Sequence, residues 1–224
     1  LNLLSADNFK AITTANIASL STNYISALNT TQISNLTTEQ VKALTSTQVK
    51  ALSSEQVGAL SAEQISSLTS TDISVLSSDQ ISAIGTDQIA SLGTAQIQSM
   101  SSIAVKSLST LQLSVMDTDQ FKALTAMQVK SLTADQLNSL TATNLQALDA
   151  LDIAAINSPV ISNINSSQIA NLSNTQLQVL TNAQLRALTS NQLDSLSTDQ
   201  VASLTTSQIG ILTSSQVTSL STDK

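Results

Sequence analysis

The sequence repeats every eight residues from its first residue to its last, without an insertion or a deletion. The 224 residues form 28 octads, which we number so that Thr37 is position one and Leu44 is position eight. Position five is Ile, Val, Leu or Phe in all 28 octads, and position eight is Leu, Ile or Met in all 28. Position one is always Ser, Thr, Asn, Asp or Gly, and position four is Gln in 19 octads. A strict period of this kind predicts an array of identical units that pack on one another.

The spacing of the apolar residues argues against both strands and a continuous helix. A half-buried strand has apolar residues two apart, whereas positions five and eight are three apart, as in a helix. Along a continuous helix, however, the apolar spacing would alternate between three and five and average four residues per turn. The apolar stripe would then rotate around a helix of about 3.6 residues per turn. The pattern therefore predicts one short helix in each octad, interrupted before the next.

Each octad also carries the residues that begin a helix. Position one has the residue types of an N-cap. Gln at position four completes a capping box, and position eight of the preceding octad can contact position five as a hydrophobic staple. We take three consecutive octads as representative, with the predicted capping residues Thr37, Gln40, Thr45, Gln48, Ser53 and Gln56.

The energy of one octad predicts how the helices are arranged. Ordering eight residues costs roughly 8–16 kcal/mol of backbone entropy. Two buried aliphatic side chains contribute only about 3–6 kcal/mol, and a cap contributes about 1 kcal/mol. Stability must therefore come from stacking, which predicts an all-α repeat solenoid that runs over residues 1–224 as one domain without a linker. The number of octads in a coil stays open between two and three. The representative core residues are Val41, Leu44, Val49, Leu52, Val57 and Leu60.

The composition excludes most catalytic and cofactor chemistry. The chain has no His and no Cys, so it cannot build a Ser-His-Asp or Cys-His system. Zinc, haem and iron–sulfur sites made of those residues are excluded as well. Asp149 and Asp152 lie close together in the sequence, but Asp149 stands at a cap position, so we do not read the two as an acid/base pair. We expect no enzymatic activity, no cofactor and no metal site.

Charge and hydropathy bear on the partners. The net charge is −7 with only 8 basic residues, and aromatic residues are 1% of the chain, so we expect no binding to nucleic acid. No apolar run reaches the roughly 18–20 residues of a membrane span. The chain begins at position five and ends at position four, without the polar capping repeats that isolated solenoids carry. We therefore expect either a segment of a longer array or association between copies, end to end or laterally.

Four octads carry a large apolar residue at position three, which is otherwise polar or small. One interpretation is a contact patch for another chain, centred on residues 103–151. The other is sequence drift that the array tolerates, because scattered apolar residues are normal on protein surfaces. The residues are Ile103, Leu111, Met127 and Leu151.

The unit Leu-Thr-x-x-Gln-Val-x-Ala-Leu, as in residues 36–44 and 44–52, resembles the octapeptide arrays of very long repetitive proteins of Gram-negative bacteria. Those proteins are described as surface, adhesion or secreted proteins. The resemblance implies an extracellular or cell-surface location and a structural or adhesive role, with no catalytic residue to carry over. Our leading hypothesis is a fibre, stalk or surface-layer element. The alternative is a binding module whose regular Ser/Thr-rich surface recognises a glycan, a partner protein or ice.

Overall fold

The computed structural model describes residues 6–220, and within them every regular element is a short α-helix. Each octad from the one that begins at Ser5 to the one that begins at Thr213 contributes one helix, as the period predicts. The prediction of an all-α fold built from one helix per octad is confirmed. The helices are α1 (Ala6–Lys10), α2 (Thr14–Ser19), α3 (Thr22–Ser26), α4 (Thr30–Ser34), α5 (Thr38–Lys42), α6 (Ser46–Lys50), α7 (Ser54–Gly58), α8 (Ala62–Ser67), α9 (Ser70–Ser74), α10 (Ser78–Ala83), α11 (Thr86–Ala90), α12 (Thr94–Ser99), α13 (Ser102–Ser107), α14 (Thr110–Ser114), α15 (Thr118–Lys122), α16 (Ala126–Ser131), α17 (Ala134–Asn138), α18 (Ala142–Ala147), α19 (Ala150–Ala155), α20 (Ser158–Ile161), α21 (Ser166–Ala170), α22 (Asn174–Gln178), α23 (Asn182–Ala187), α24 (Ser190–Asp194), α25 (Thr198–Ser203), α26 (Thr206–Ile211) and α27 (Ser214–Ser219).

Each helix ends because the chain becomes extended at the octad boundary. After α8, Leu68 at position eight has φ −62° and ψ 145°. Thr69, the next N-cap, has φ −73° and ψ 161°. Two extended residues in succession turn the chain and start the next helix. No residue in the described part of the chain has a positive φ, so these corners do not require glycine.

The contacts between helices show that three octads make one coil. Helices pack against the helix three places further along, for example α5 against α8 and α16 against α19. This separation corresponds to 24 residues, which is one coil of three octads. The question left open by the sequence is thus answered in favour of three octads rather than two.

The contacts divide the chain into two compact units, Leu1–Met116 and Asp117–Lys224. The first contains α1–α14 and the second contains α15–α27. Stacking of helices on those three places later is seen within each unit. A single continuous solenoid over residues 1–224 stays a prediction.

The interior of both units is formed by positions five and eight. Val49 is fully buried and Leu52 is 4% exposed, and the same pair of positions is buried in almost every coil. The position-five side chains become exposed only near the end of the described residues, where Ile209 is 41% and Val217 is 49% exposed. No described helix follows to cover them, which indicates that position five packs toward the next coil.

Candidate functional site

The most distinctive polar feature of the molecule is the side chain at position four. Every polar side chain that is buried within the described residues stands at this position: 19 Gln, together with Asp72, Asn144 and Asp152. A buried polar group is costly unless it is hydrogen-bonded. The structure shows what each end of the glutamine amide does.

One end of the amide caps its own helix. In α6 the Thr45 hydroxyl accepts a hydrogen bond from the Gln48 N–H at 3.3 Å, and Gln48 Oε1 accepts one from the Thr45 N–H at 2.8 Å. The same reciprocal pair joins Thr37 with Gln40 and Ser53 with Gln56. These six residues are the capping residues that the sequence singles out. They satisfy N–H groups that the first turn of a helix leaves without an intrahelical partner.

The other end of the amide reaches the coil beneath. Gln48 Nε2 donates to the carbonyl oxygens of Ile17 at 2.9 Å and Leu20 at 2.7 Å. Ile17 lies in α2 and Leu20 is its C-cap, four octads before Gln48. Because α6 packs on α3, its first turn lies over the corner between α2 and α3. Gln48 therefore links the beginning of one helix to the end of a helix in the preceding coil.

We call this interaction the glutamine bridge. It is defined as hydrogen bonds from Nε2 at position four to carbonyl oxygens 28, 30 or 31 residues earlier. It occurs in both units. Among the bridging residues are Gln40, Gln48, Gln56, Gln64, Gln80, Gln88, Gln96, Gln112, Gln168, Gln176, Gln184, Gln192, Gln200, Gln208 and Gln216.

The bridge does not follow from the capping-box pattern, which accounts for Gln at position four within its own octad only. The sequence nevertheless contains a signal for the bridge. Glutamate serves a capping box as well as glutamine does, yet no octad has Glu at position four, and the three glutamates all stand at position three. Glutamine differs from glutamate in having an N–H₂ donor. The preference for Gln therefore indicates that position four must donate as well as accept.

Serine at position seven adds a second link between coils. The Ser91 hydroxyl in the first unit donates to the Ala62 carbonyl at 2.9 Å, and the Ser195 hydroxyl in the second donates to the Ser166 carbonyl at 2.9 Å. Each of these bonds joins a helix to the one three places earlier. The small side chain at position seven thus both permits close approach of the coils and bonds across them.

The representative core residues lie where the coils stack. Val41, Val49 and Val57 are at most 1% exposed. Leu44, Leu52 and Leu60 are each 4% exposed. They are enclosed because position five and position eight of every octad point into the same interior.

The four apolar residues at position three are all on the surface. Ile103 is 72% exposed and Leu111 is 65% exposed, both in the first unit. In the second unit, Met127 is 66% and Leu151 is 73% exposed, on the adjacent helices α16 and α19. Met127 and Leu151 therefore occupy the same position on two helices that pack on each other, whereas Ile103 and Leu111 lie on successive helices of the first unit.

Acidic residues at position three lie in the first turn of their helices, where negative charge favours the helix dipole. Glu55 shows the local chemistry: its carboxylate accepts a hydrogen bond from the Ser53 hydroxyl at 2.8 Å. Hydrogen bonds from its own backbone N–H and from Ser53 hold the pKa of Glu55 below its ordinary value. These carboxylates are explained by helix capping.

The described residues contain no cluster of three or more acidic side chains that could hold a metal ion. Within residues 6–220, no helix has the length and hydropathy needed to cross a bilayer.

Short capped helices, three to a coil and linked by buried glutamines, define the protein as an all-α repeat protein of the solenoid type. The sequence matches the ALTTAQ repeat family at residues 3–38, 36–70, 70–102, 89–126 and 169–206. These matches cover more than half of the chain, so the chain belongs to the ALTTAQ repeat family. Residues 43–48, Ala-Leu-Thr-Ser-Thr-Gln, illustrate the motif. No protein with a curated description matches the sequence.

Proposed function

We propose that the chain is a non-enzymatic structural array that acts outside the cell as a fibre, stalk or surface-layer element. One observation carries the proposal: all the buried polar side chains of the described residues stand at position four, where glutamine holds one coil to the next. An enzyme departs from its scaffold pattern at the reacting site. Here the buried polar side chains follow the repeat, and the glutamines among them bond one coil to the next.

The extracellular location rests on the resemblance to octapeptide arrays of bacterial surface proteins. The absence of Cys is compatible with that setting, since such an array takes its stability from stacking rather than from disulfides. The test is protease shaving of intact source cells, followed by mass spectrometry of the released peptides. Release of octad peptides without release of a cytosolic marker protein is the expected result. Peptides found only after lysis would contradict the location.

We propose that copies of the chain associate with one another. Analytical ultracentrifugation of the purified chain over a hundredfold range of concentration tests it directly. A sedimentation coefficient that increases with concentration supports assembly between copies, and electron microscopy of the same samples then distinguishes fibres from lateral aggregates. A coefficient that is constant at the monomer value overturns self-association.

A second candidate function is adhesion to a partner protein, favoured by the exposed apolar side chains at position three. Position-one hydroxyls are engaged as caps, so they do not form a free hydroxyl surface for a glycan or for ice. The test replaces Met127 and Leu151 by Ser and compares capture of surface proteins from the source with that of the unchanged chain. Equal capture by both would contradict adhesion through this surface.

A further inference from the structure

Two octads of the array have an aspartate buried at position four, and their surroundings differ. Asp72 in α9 is 2% exposed and accepts hydrogen bonds from two hydroxyl groups. The Thr69 hydroxyl donates to Asp72 Oδ2 at 2.6 Å, and the Ser46 hydroxyl, from the coil beneath, donates to Oδ1 at 2.7 Å. The backbone N–H of Thr69 adds a third donor at 3.0 Å. This carboxylate is thus solvated by the protein itself.

Asp152 in α19 is 3% exposed and lacks both hydroxyl donors. Its cap is Asp149, another carboxylate, which accepts from the Asp152 N–H at 2.9 Å, while the Asp149 N–H donates to Asp152 Oδ2 at 3.0 Å. The residue that corresponds to Ser46, 26 positions before the aspartate, is Ala126, which has no hydroxyl. The exposed carboxyl group of Asp149 and the buried carboxyl group of Asp152 therefore each accept one backbone N–H of the other residue.

The coil that contains this pair has a single glutamine bridge to the preceding coil, from Gln168. Val160 occupies position four of the next octad, so α20 has no glutamine there, and α20 is the shortest helix of the described residues at four residues. Neither Asn157 nor Asn165 makes a side-chain cap bond. A small cavity lies in the interior at this level, lined by Leu145, Ile153, Ile156, Ile161, Ile164, Gln168, Ile169 and Leu172.

The charged groups around the pair are few. Of the helices that pack against α19, α16 carries Lys130 in its last turn, and α22 carries no charged residue. The flanking helices α18 and α20 have none. Farther off, α15 carries Asp119 and Lys122, which pair with each other on the surface at 3.3 Å. Within the described residues, no ion pair neutralises either carboxylate.

We propose that Asp149 and Asp152 share one proton in mild acid and thereby stabilise the closed coil of residues 149–172. When both carboxyl groups are ionised, this coil loosens. We call the pair a proton-operated latch. The proton comes from the solvent and supplies the donor that Thr69 supplies to Asp72. It lies on a carboxyl oxygen of the pair, where the like charges are then relieved. The latch adds a response to acidity to the structural role proposed above, and it depends only on the coil geometry.

Burial, together with the charge and the side-chain hydrogen bond of Asp149, raises the pKa of Asp152 from 3.8 to about 6. A carboxyl group whose folded pKa is raised binds more protons in the closed coil than in the open one. The stability of the closed coil therefore falls as the pH rises from about 4 to about 6, and it stays low above that range.

The test is hydrogen exchange of the whole chain, followed by mass spectrometry and expressed as protection factors so that the intrinsic pH dependence is removed. We expect protection of residues 149–172 to fall about 10-fold between pH 5 and pH 7.5. Asp152→Asn, which cannot ionise, should abolish this change and retain high protection at pH 7.5. Asp149→Ser, which restores the hydroxyl seen at Thr69, should reduce the change below about twofold.

The matched control is Asp72→Asn, which should leave the pH response of residues 149–172 unchanged. Equal protection of the unchanged chain at the two pH values would overturn the latch. So would a tenfold change that persists in Asp152→Asn, because another group would then be responsible. If Asp152→Asn fails to fold, Asp149→Ser alone tests the latch, because it leaves Asp152 and its backbone bonds in place.

Discussion

The coil of residues 37–60 and the coil of residues 149–172 share the same interior but differ in their polar links. The first has three capping boxes and three glutamine bridges. In the second, Asp152 and Val160 take the place of two glutamines, and only Gln168 bridges, to the Asn138 and Leu140 carbonyls. Position five and position eight are nevertheless buried in both. The apolar interior is thus the same in both coils, whereas the number of bridges differs from coil to coil.

The largest effect should come from a charge placed in the shared interior. Val49→Asp and Ile161→Asp each bury an unpaired carboxylate at a position that is at most 1% exposed. We expect each to cost more than about 4 kcal/mol, enough to open its coil locally. Urea unfolding followed by circular dichroism measures the loss. A small loss for Ile161→Asp only would show that the two interiors are not equivalent.

Removal of one bridge should have the next largest effect. Gln48→Val deletes the acceptor for the Thr45 N–H and the donor to Ile17 and Leu20. Because buried carbonyls then lose a partner, we expect a cost of about 2–4 kcal/mol. The midpoint of urea unfolding measures it. An unchanged midpoint would mean that the bridge contributes nothing to stability.

The reverse substitution tests whether a bridge can be added where the second coil lacks one. Val160→Gln offers a donor to the Val129 and Leu132 carbonyls, which stand 31 and 28 residues earlier, in the register of the other bridges. We expect a gain of about 1 kcal/mol and slower hydrogen exchange in residues 157–164. Val160→Leu is the control, since it adds volume without a donor. A similar gain from both variants would attribute the effect to packing.

The smallest effect should be seen at the caps. Thr45 accepts a cap bond in α6, whereas the Asn165 side chain makes none in α21. Thr45→Ala should therefore cost about 1 kcal/mol, and Asn165→Ala should cost close to nothing. Thermal melting of the two variants side by side measures the difference. Equal losses would show that Asn165 contributes to its helix in another way.

Much of the local structure could be predicted because its causes lie within a few residues of each other. The cap, the capping box and the apolar pair of one octad are all within eight residues, so the sequence indicates them directly. The drift at position three is also visible in the sequence as apolar residues at 103, 111, 127 and 151. Their exposure is a structural result, because no pattern distinguishes an added core contact from a surface side chain.

By itself the sequence determined that each octad is a capped helix with positions five and eight turned inward, since sterics and short-range hydrogen bonds decide these features. Only the tertiary structure decided that three octads close a coil and that Gln Nε2 reaches carbonyls 28 to 31 residues earlier. The physical reason is that coil closure depends on the angle of each extended corner, repeated over three octads. Identical repeats carry no mark of where a coil is completed. The same holds for Asp72 and Asp152, whose neighbours in the preceding coil become known only once the coil size is known.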